Sequence, residues 1–99
     1  MKILMSMKWD GVTPDQYEEL RKTVRLEYEK PEGAVAHFTG FHNNAIRVTD
    51  IWESEAQLNN FLQNRLMPGV AKLGIESHPE VDVFPLYATF LPAINSLVK

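Results

Sequence analysis

Two β-rich runs, residues 34–42 (AVAHFTGFH) and 45–53 (AIRVTDIWE), are separated only by Asn43-Asn44. Asparagine tolerates positive φ, so a connection this short makes a tight antiparallel hairpin and fixes its register. A turn at this point sets Phe41 opposite Ile46, Thr39 opposite Val48, His37 opposite Asp50 and Val35 opposite Trp52 on one face. A slip of one residue would move all of these to the other face. That other face carries Ala34, Ala36, Phe38 and Gly40 against Arg47, Thr49 and Ile51.

The remaining elements follow from periodicity. Residues 2–9 alternate, with Ile3, Met5, Met7 and Trp9 on one side, which predicts a first strand. Thr13-Pro14-Asp15-Gln16 reads as an N-cap, a proline at the first helical position and the far member of a capping box. Tyr17, Leu20, Val24 and Tyr28 then recur at helical spacing until Pro31 and Gly33. Ser54 with Gln57 opens a second helix whose stripe is Leu58, Phe61, Leu62, Leu66, Val70 and Leu73. Pro68-Gly69 is expected to kink or break that helix, and Gly74 to end it. Residues 80–90 (EVDVFPLYATF) form the last strand, and Pro85 within it marks an edge or a bulge. The order is βαββαβ, an α+β ferredoxin-like domain over residues 1–92 with a tail at 93–99.

Two helices shelter only one face of a four-stranded antiparallel sheet. The second face holds Ala34, Ala36, Phe38 and Ile51, together with Leu4, Phe84, Leu86 and Phe90, which is more apolar surface than water favours. A second copy of the chain is the natural cover, so a homodimer is expected.

Composition limits the partners. Thirteen acids against ten bases give a net charge of −3, and Arg21, Lys22 and Arg25 are interleaved with Glu18, Glu19 and Glu27. That is a solvated helix face and not a stripe that tracks phosphates, so no nucleic-acid partner is expected. No cysteine is present, which excludes disulfides, thiolate catalysis and zinc–thiolate sites. No apolar run approaches the ~18 residues needed to cross a bilayer, so no membrane partner is expected and a cytoplasmic location is.

The stretches Arg47-Val48-Thr49-Asp50-Ile51-Trp52-Glu53-Ser54 and Arg65 to Gly74 (RLMPGVAKLG) resemble the dimeric α+β barrel superfamily. Antibiotic biosynthesis monooxygenase-like domains are one branch of it; the chain is similar to its small stand-alone members, and the likeness spans about residues 1–92. The resemblance implies a homodimer of ferredoxin-like protomers, each with a mostly apolar cavity between sheet and helices. It also implies candidate activities, among them cofactor-independent oxygenation of aromatic polyketides. The haem-degrading branch carries an Asn on strand one with a Trp and a His on helix two. Met7, Phe61 and Ala71 stand at roughly those places here, so haem degradation is not implied.

Within this frame His37 and Asp50 are the sharpest pair. Directly opposed on one face, they lie ~5 Å apart at Cβ. A carboxylate fixes an imidazole's tautomer, which is how a general base is prepared, whereas the structural alternative is a buried polar pair that satisfies itself. Trp52 shares that face and would wall an aromatic ligand, with Tyr87, Met5 and Phe61 as further ligand contacts. Arg65 is open between reaching solvent and pairing with an acid across a dimer. His37, His42 and His78 lack ligand spacing, so neither a metal nor another cofactor is expected. Two functions remain: a cofactor-independent monooxygenase or isomerase acting on a small conjugated molecule, or a non-catalytic ligand-binding or structural dimer module of the same fold.

Overall fold

The computed structural model describes residues 1–93. Strand β1 (Ile3–Asp10) lies inside the sheet because its inward side is uniformly apolar, with Ile3, Met5, Met7 and Trp9 all buried. It pairs antiparallel with β3 (Ala45–Trp52) on one side and β4 (Glu80–Pro85) on the other, and β2 (Ala34–His42) completes the order β2-β3-β1-β4. This is the four-stranded antiparallel sheet of the ferredoxin-like fold, with the helices on one face.

The Asn43-Asn44 turn places both asparagines at positive φ, 51° and 61°, as a type I′ hairpin requires. The predicted pairs Phe41–Ile46, Thr39–Val48 and His37–Asp50 all form. The fourth does not. A bulge between Ala34 and Ala36 leaves Val35 unpaired and half-exposed, and Ala34 takes its place opposite Trp52.

Helix α1 (Pro14–Val24) opens with a complete capping box between Thr13 and Gln16, and buries Leu20 and Val24. It stops one turn earlier than the apolar spacing suggests, so Tyr28 lies outside it and is 82% exposed. Arg25 takes the left-handed conformation (φ 56°), its N–H bonds to Lys22 O, and the N–H of Leu26 bonds to Arg21 O. That pair of bonds is a Schellman ending made without glycine. A guanidinium compensates: Arg65 Nη2 donates to Val24 O at 2.7 Å and to Arg25 O at 3.3 Å. A cation at the negative end of the helix dipole also satisfies carbonyls that the helix leaves unpaired. This settles the destination of Arg65 within the protomer.

The second helical segment is α2 (Glu55–Phe61), a π-turn (Leu62–Leu66) and α3 (Met67–Lys72). Ser54 caps its start by accepting from Gln57 N–H. Pro68 does not break the segment as expected, because the wide turn before it absorbs the missing N–H and the helix resumes. Gly69 serves a different purpose from a breaker. A Cβ there would lie 2.7 Å from Val24 Cγ1, so its absence lets α3 sit against α1.

Strand β4 ends at Pro85 and not at residue 90. Leu86 N–H still reaches Lys2 O at 3.1 Å, but β1 has then run out and offers no further ladder. Tyr87 and Phe90 beyond it are almost wholly exposed. The expected tail falls, from residue 94 onward, outside the described residues.

The outer sheet face is divided. One row across it is Ala36, Ile51, Leu4 and Phe84, next to a half-exposed Phe38. Two rows further on stand Arg47, Lys8 and Glu80. The uncovered apolar surface is therefore concentrated at one end. Among the described residues no helix is long and apolar enough to cross a membrane.

Candidate functional site

On the inner face, the register of the hairpin brings His37 and Asp50 together. His37 Nδ1 and Asp50 Oδ1 are 2.6 Å apart, and the second carboxylate oxygen, Oδ2, accepts from Trp52 Nε1–H at 3.1 Å. Asp50 is only 6% exposed, and burying an unpaired carboxylate would cost several kcal/mol. With one donor on each oxygen it is fully engaged. Because a carboxylate only accepts, Nδ1 carries the proton, and in the neutral ring Nε2 presents its lone pair.

That lone pair is met by two hydroxyls. Tyr17 Oη lies 2.8 Å from Nε2, Thr39 Oγ1 lies 3.0 Å from it, and the two hydroxyl oxygens are 2.8 Å apart. Tyr17 comes from the first turn of α1 and Thr39 from β2, so the helix closes over the strand at this point. The Tyr17 ring is held on several sides. It stacks near His37 (6.4 Å between centroids), meets Phe41 edge-on (6.1 Å) and lies under the Arg21 guanidinium (5.5 Å). Burial raises the pKa of its phenol above the ordinary value, outweighing the Thr39 hydrogen bond and Arg21, which act the other way. Tyr17 is therefore a neutral phenol at neutral pH.

The network borders a cavity of about 80 Å³ between α1, the π-turn and the sheet, whose wall is almost entirely apolar. His37, Asp50, Trp52, Met5 and Phe61 all line it. Trp52 is more than a wall, because its indole N–H holds Asp50 and its ring packs on Phe61 at 5.5 Å. Tyr87 does not line the cavity: it stands fully exposed past the end of β4. The residue that sequence reasoning missed is Tyr17. Its place in the apolar stripe of α1 gave it a core role, and only the helix-to-strand docking shows its hydroxyl on His37. The Thr39 side chain was legible as a neighbour of His37 on one face, but not as its hydrogen-bond partner.

No protein-family model matches the chain, and no curated protein matches it. Solved structures do. SnoaB, a cofactor-independent oxygenase from Streptomyces nogalater, superposes with a TM-score of 0.68 at 18% identity, over 92% of this chain and 97% of that one. A protein of unknown function from Nitrosomonas europaea gives 0.70 at 19% identity, over 93% and 95%. An antibiotic biosynthesis monooxygenase candidate from Chloroflexus aurantiacus gives 0.65 at 14% identity, over 91% and 97%. The chain shares the fold of these solved structures. At these identities the likeness carries the fold and not the reaction, and function has to be argued from the side chains of the site. In this chain that fold places Asp50, the one carboxylate buried among the described residues, at the cavity wall, with an imidazole beside it and two hydroxyls on the far ring nitrogen.

Proposed function

We propose that this protein is a cofactor-independent monooxygenase or isomerase that removes a proton from a small conjugated molecule held in the inner cavity. The observation that carries the proposal is the His37–Asp50 pair at 2.6 Å on the wall of an otherwise apolar cavity. An imidazole whose Nδ1–H is bound to a carboxylate keeps a lone pair on Nε2 and is stabilised when it becomes charged. The apolar wall of Met5, Trp52 and Phe61 suits the uncharged part of such a molecule and keeps water from competing for the proton. SnoaB, which shares the fold, is a cofactor-independent oxygenase. Removal of an acidic proton is the step that an isomerase and a cofactor-independent oxygenase have in common, and only the fate of the resulting anion differs. In the oxygenase that anion meets dioxygen; in the isomerase it is reprotonated at another atom.

The cavity also limits the ligand. At about 80 Å³ it is smaller than the ~150 Å³ apolar cavity that accepts benzene. A ligand of benzene's size therefore enters only with some widening of the cavity. This small volume favours a second reading, a binding module without turnover. We propose further that the protein works as a homodimer, with the apolar end of the outer sheet face, around Leu4, Phe38 and Phe84, covered by the second copy.

The test is the keto–enol relaxation of acetylacetone, a small conjugated enol, followed by its ultraviolet absorbance. The wild-type chain is expected to accelerate relaxation above buffer with saturation, and His37→Gln to lose that acceleration. Oxygen uptake in the same cuvette separates the oxygenase from the isomerase. A wild-type rate equal to buffer, or a His37→Gln rate equal to wild type, refutes the catalytic reading. Light scattering tests the dimer: a mass of 11.3 kDa, independent of concentration, refutes it.

A further inference from the structure

We propose that the Tyr17 hydroxyl, and not the imidazole, is the group that meets the ligand, so that the base presented to the cavity is a Tyr17–His37–Asp50 relay. This rests on the proton-removal function proposed above and names the residue that touches the substrate.

Counting hydrogens gives the reason. With Nδ1–H committed to Asp50, His37 has a single lone pair to offer, on Nε2. Two hydroxyl oxygens already stand on it, at 2.8 and 3.0 Å. Between three atoms that are mutually 2.8 to 3.0 Å apart, there are only two hydrogens. The longest edge, Thr39 Oγ1 to Nε2 at 3.0 Å, is the one we leave without a hydrogen, so that Tyr17 O–H donates to Nε2 and Thr39 O–H to Tyr17 Oη; the reverse order would empty a 2.8 Å edge instead. Every hydrogen in the chain from Thr39 to Asp50 then points toward the carboxylate. A ligand cannot reach Nε2 while the phenol is there, and the phenol is not free to leave. Its ring is bounded by His37, Phe41 and Arg21, and it grows from a helix fixed at its start by the capping box. Tyr17 lines the cavity itself, so a ligand in that cavity meets it without any displacement.

The step balances without an oxidant. The acidic C–H or O–H bond of the ligand breaks, its electron pair stays on the ligand as an enolate or phenolate, and the proton forms a new O–H bond at Tyr17 Oη. The proton that Tyr17 already carried passes to Nε2, where an N–H bond forms. Tyr17 ends as it began, and the product is an imidazolium beside Asp50. The two transfers must be concerted, because burial disfavours a free tyrosinate in between. Thr39 is a positioning residue: it aims the phenol's remaining lone pair and never receives the proton.

The experiment uses the full chain and acetylacetone as the probe, with wild type, His37→Gln, Tyr17→Phe and Thr39→Val compared by the rate and by the half-saturating concentration. General acid–base groups contribute about 10²- to 10⁴-fold. Tyr17→Phe is therefore expected to lose about 100-fold or more of the catalysed rate with a half-saturating concentration within about threefold of wild type, as His37→Gln does. Thr39→Val is expected to lose about 3- to 10-fold and to keep saturation. A Tyr17→Phe rate equal to or above wild type, while His37→Gln is inactive, overturns the relay and leaves the function standing, because the imidazole then acts directly. A wild-type rate equal to buffer removes both. Should Tyr17→Phe fail to fold, uniform replacement of tyrosine by 3-fluorotyrosine acidifies the phenol and keeps it in place. Tyr28 and Tyr87 are exposed and do not line the cavity. A catalysed rate that changes at least twofold on fluorination supports the relay, and an unchanged one overturns it.

Discussion

Replacing Asp50 by Asn should reverse the tautomer of His37, and the structure fixes how strongly. Asp50 accepts from two groups, Nδ1 of His37 at 2.6 Å and Nε1 of Trp52 at 3.1 Å. Asparagine keeps the shape but has one acceptor and one NH₂ group. The indole N–H can only donate, and at 2% exposure Trp52 has no water to turn to. If the amide placed its NH₂ against the indole, a buried donor would be left unsatisfied, at a cost of about 1–3 kcal/mol. The amide oxygen therefore faces Trp52 and the NH₂ faces Nδ1, which has to become the acceptor. The ring proton moves to Nε2, where a Tyr17 or Thr39 oxygen accepts it; the cluster then holds three hydrogens and two acceptors, so one hydroxyl hydrogen turns outward to water, from which these bonds are not shielded. At 1.4 kcal/mol per factor of ten, the preference for the reversed tautomer is about 5- to 150-fold. Stability should fall by only about 0.5–1.5 kcal/mol, since one charge-assisted bond is exchanged for neutral ones. Catalysis should fall far more, because the lone pair is gone from the reacting side; a tautomer error of this kind costs about 10⁴-fold in the serine-protease triad. Long-range ¹H–¹⁵N correlation of His37 reads the tautomer directly. Retention of the Nδ1–H form in Asp50→Asn, or a catalysed rate within threefold of wild type, would refute the reasoning.

Three further outcomes are expected. Gly69→Ala sets a methyl 2.7 Å from Val24 Cγ1 on a stiff β-branched side chain; overpacking of about 1–3 kcal/mol exceeds the ~1 kcal/mol gained in helix propensity. Thermal melting should drop by several degrees, and Val24→Ala in the same chain should restore part of it, whereas additive losses in the double variant would exclude the contact as the cause. Arg65→Met removes the guanidinium from Val24 O and Arg25 O and should cost about 1 kcal/mol in urea unfolding, with no loss if the α1 ending is held by its backbone bonds alone. Finally, Tyr17 has its phenol pKa raised above the ordinary 10.0 by burial, so the unfolded chain releases that proton first and stability declines as pH rises past 10. Unfolding free energies measured between pH 9 and 11 should fall less steeply in Tyr17→Phe; equal slopes would show that the phenol is not shielded from water.

Local rules carried most of the architecture. Alternation, capping residues and the Asn43-Asn44 turn each act over a few residues, so the strands, the helix starts and the His37–Asp50 register could be read directly. What could not be read depends on distant groups. The early end of α1 is set by Arg25 turning left-handed under the cover of Arg65, some 40 residues on. The end of β4 is set by where β1 begins, and so Tyr87, given a ligand contact by its position in an apolar run, stands outside. Pro68-Gly69 signalled a kink or a break because proline rules concern one helix turn, while the π-turn that accommodates Pro68 is defined over the turn before. The site was half legible for the same reason. A strand pair follows from a hairpin, but the Tyr17 hydroxyl reaches His37 only once a helix has docked on the sheet.

The bulge at Val35 has a consequence for how this chain tolerates change. It sits between the loop that leaves α1 and the first residue of the reactive pair, and it takes up one surplus residue by pushing Val35 outward. From Ala36 onward, strand alignment is dictated by the asparagine turn at the opposite end. Lengthening or shortening the 29–34 connection would thus be absorbed upstream, as slack in a rope is taken up before a fixed knot. The imidazole stays opposite its carboxylate while the rim above it is free to be rebuilt for a different guest.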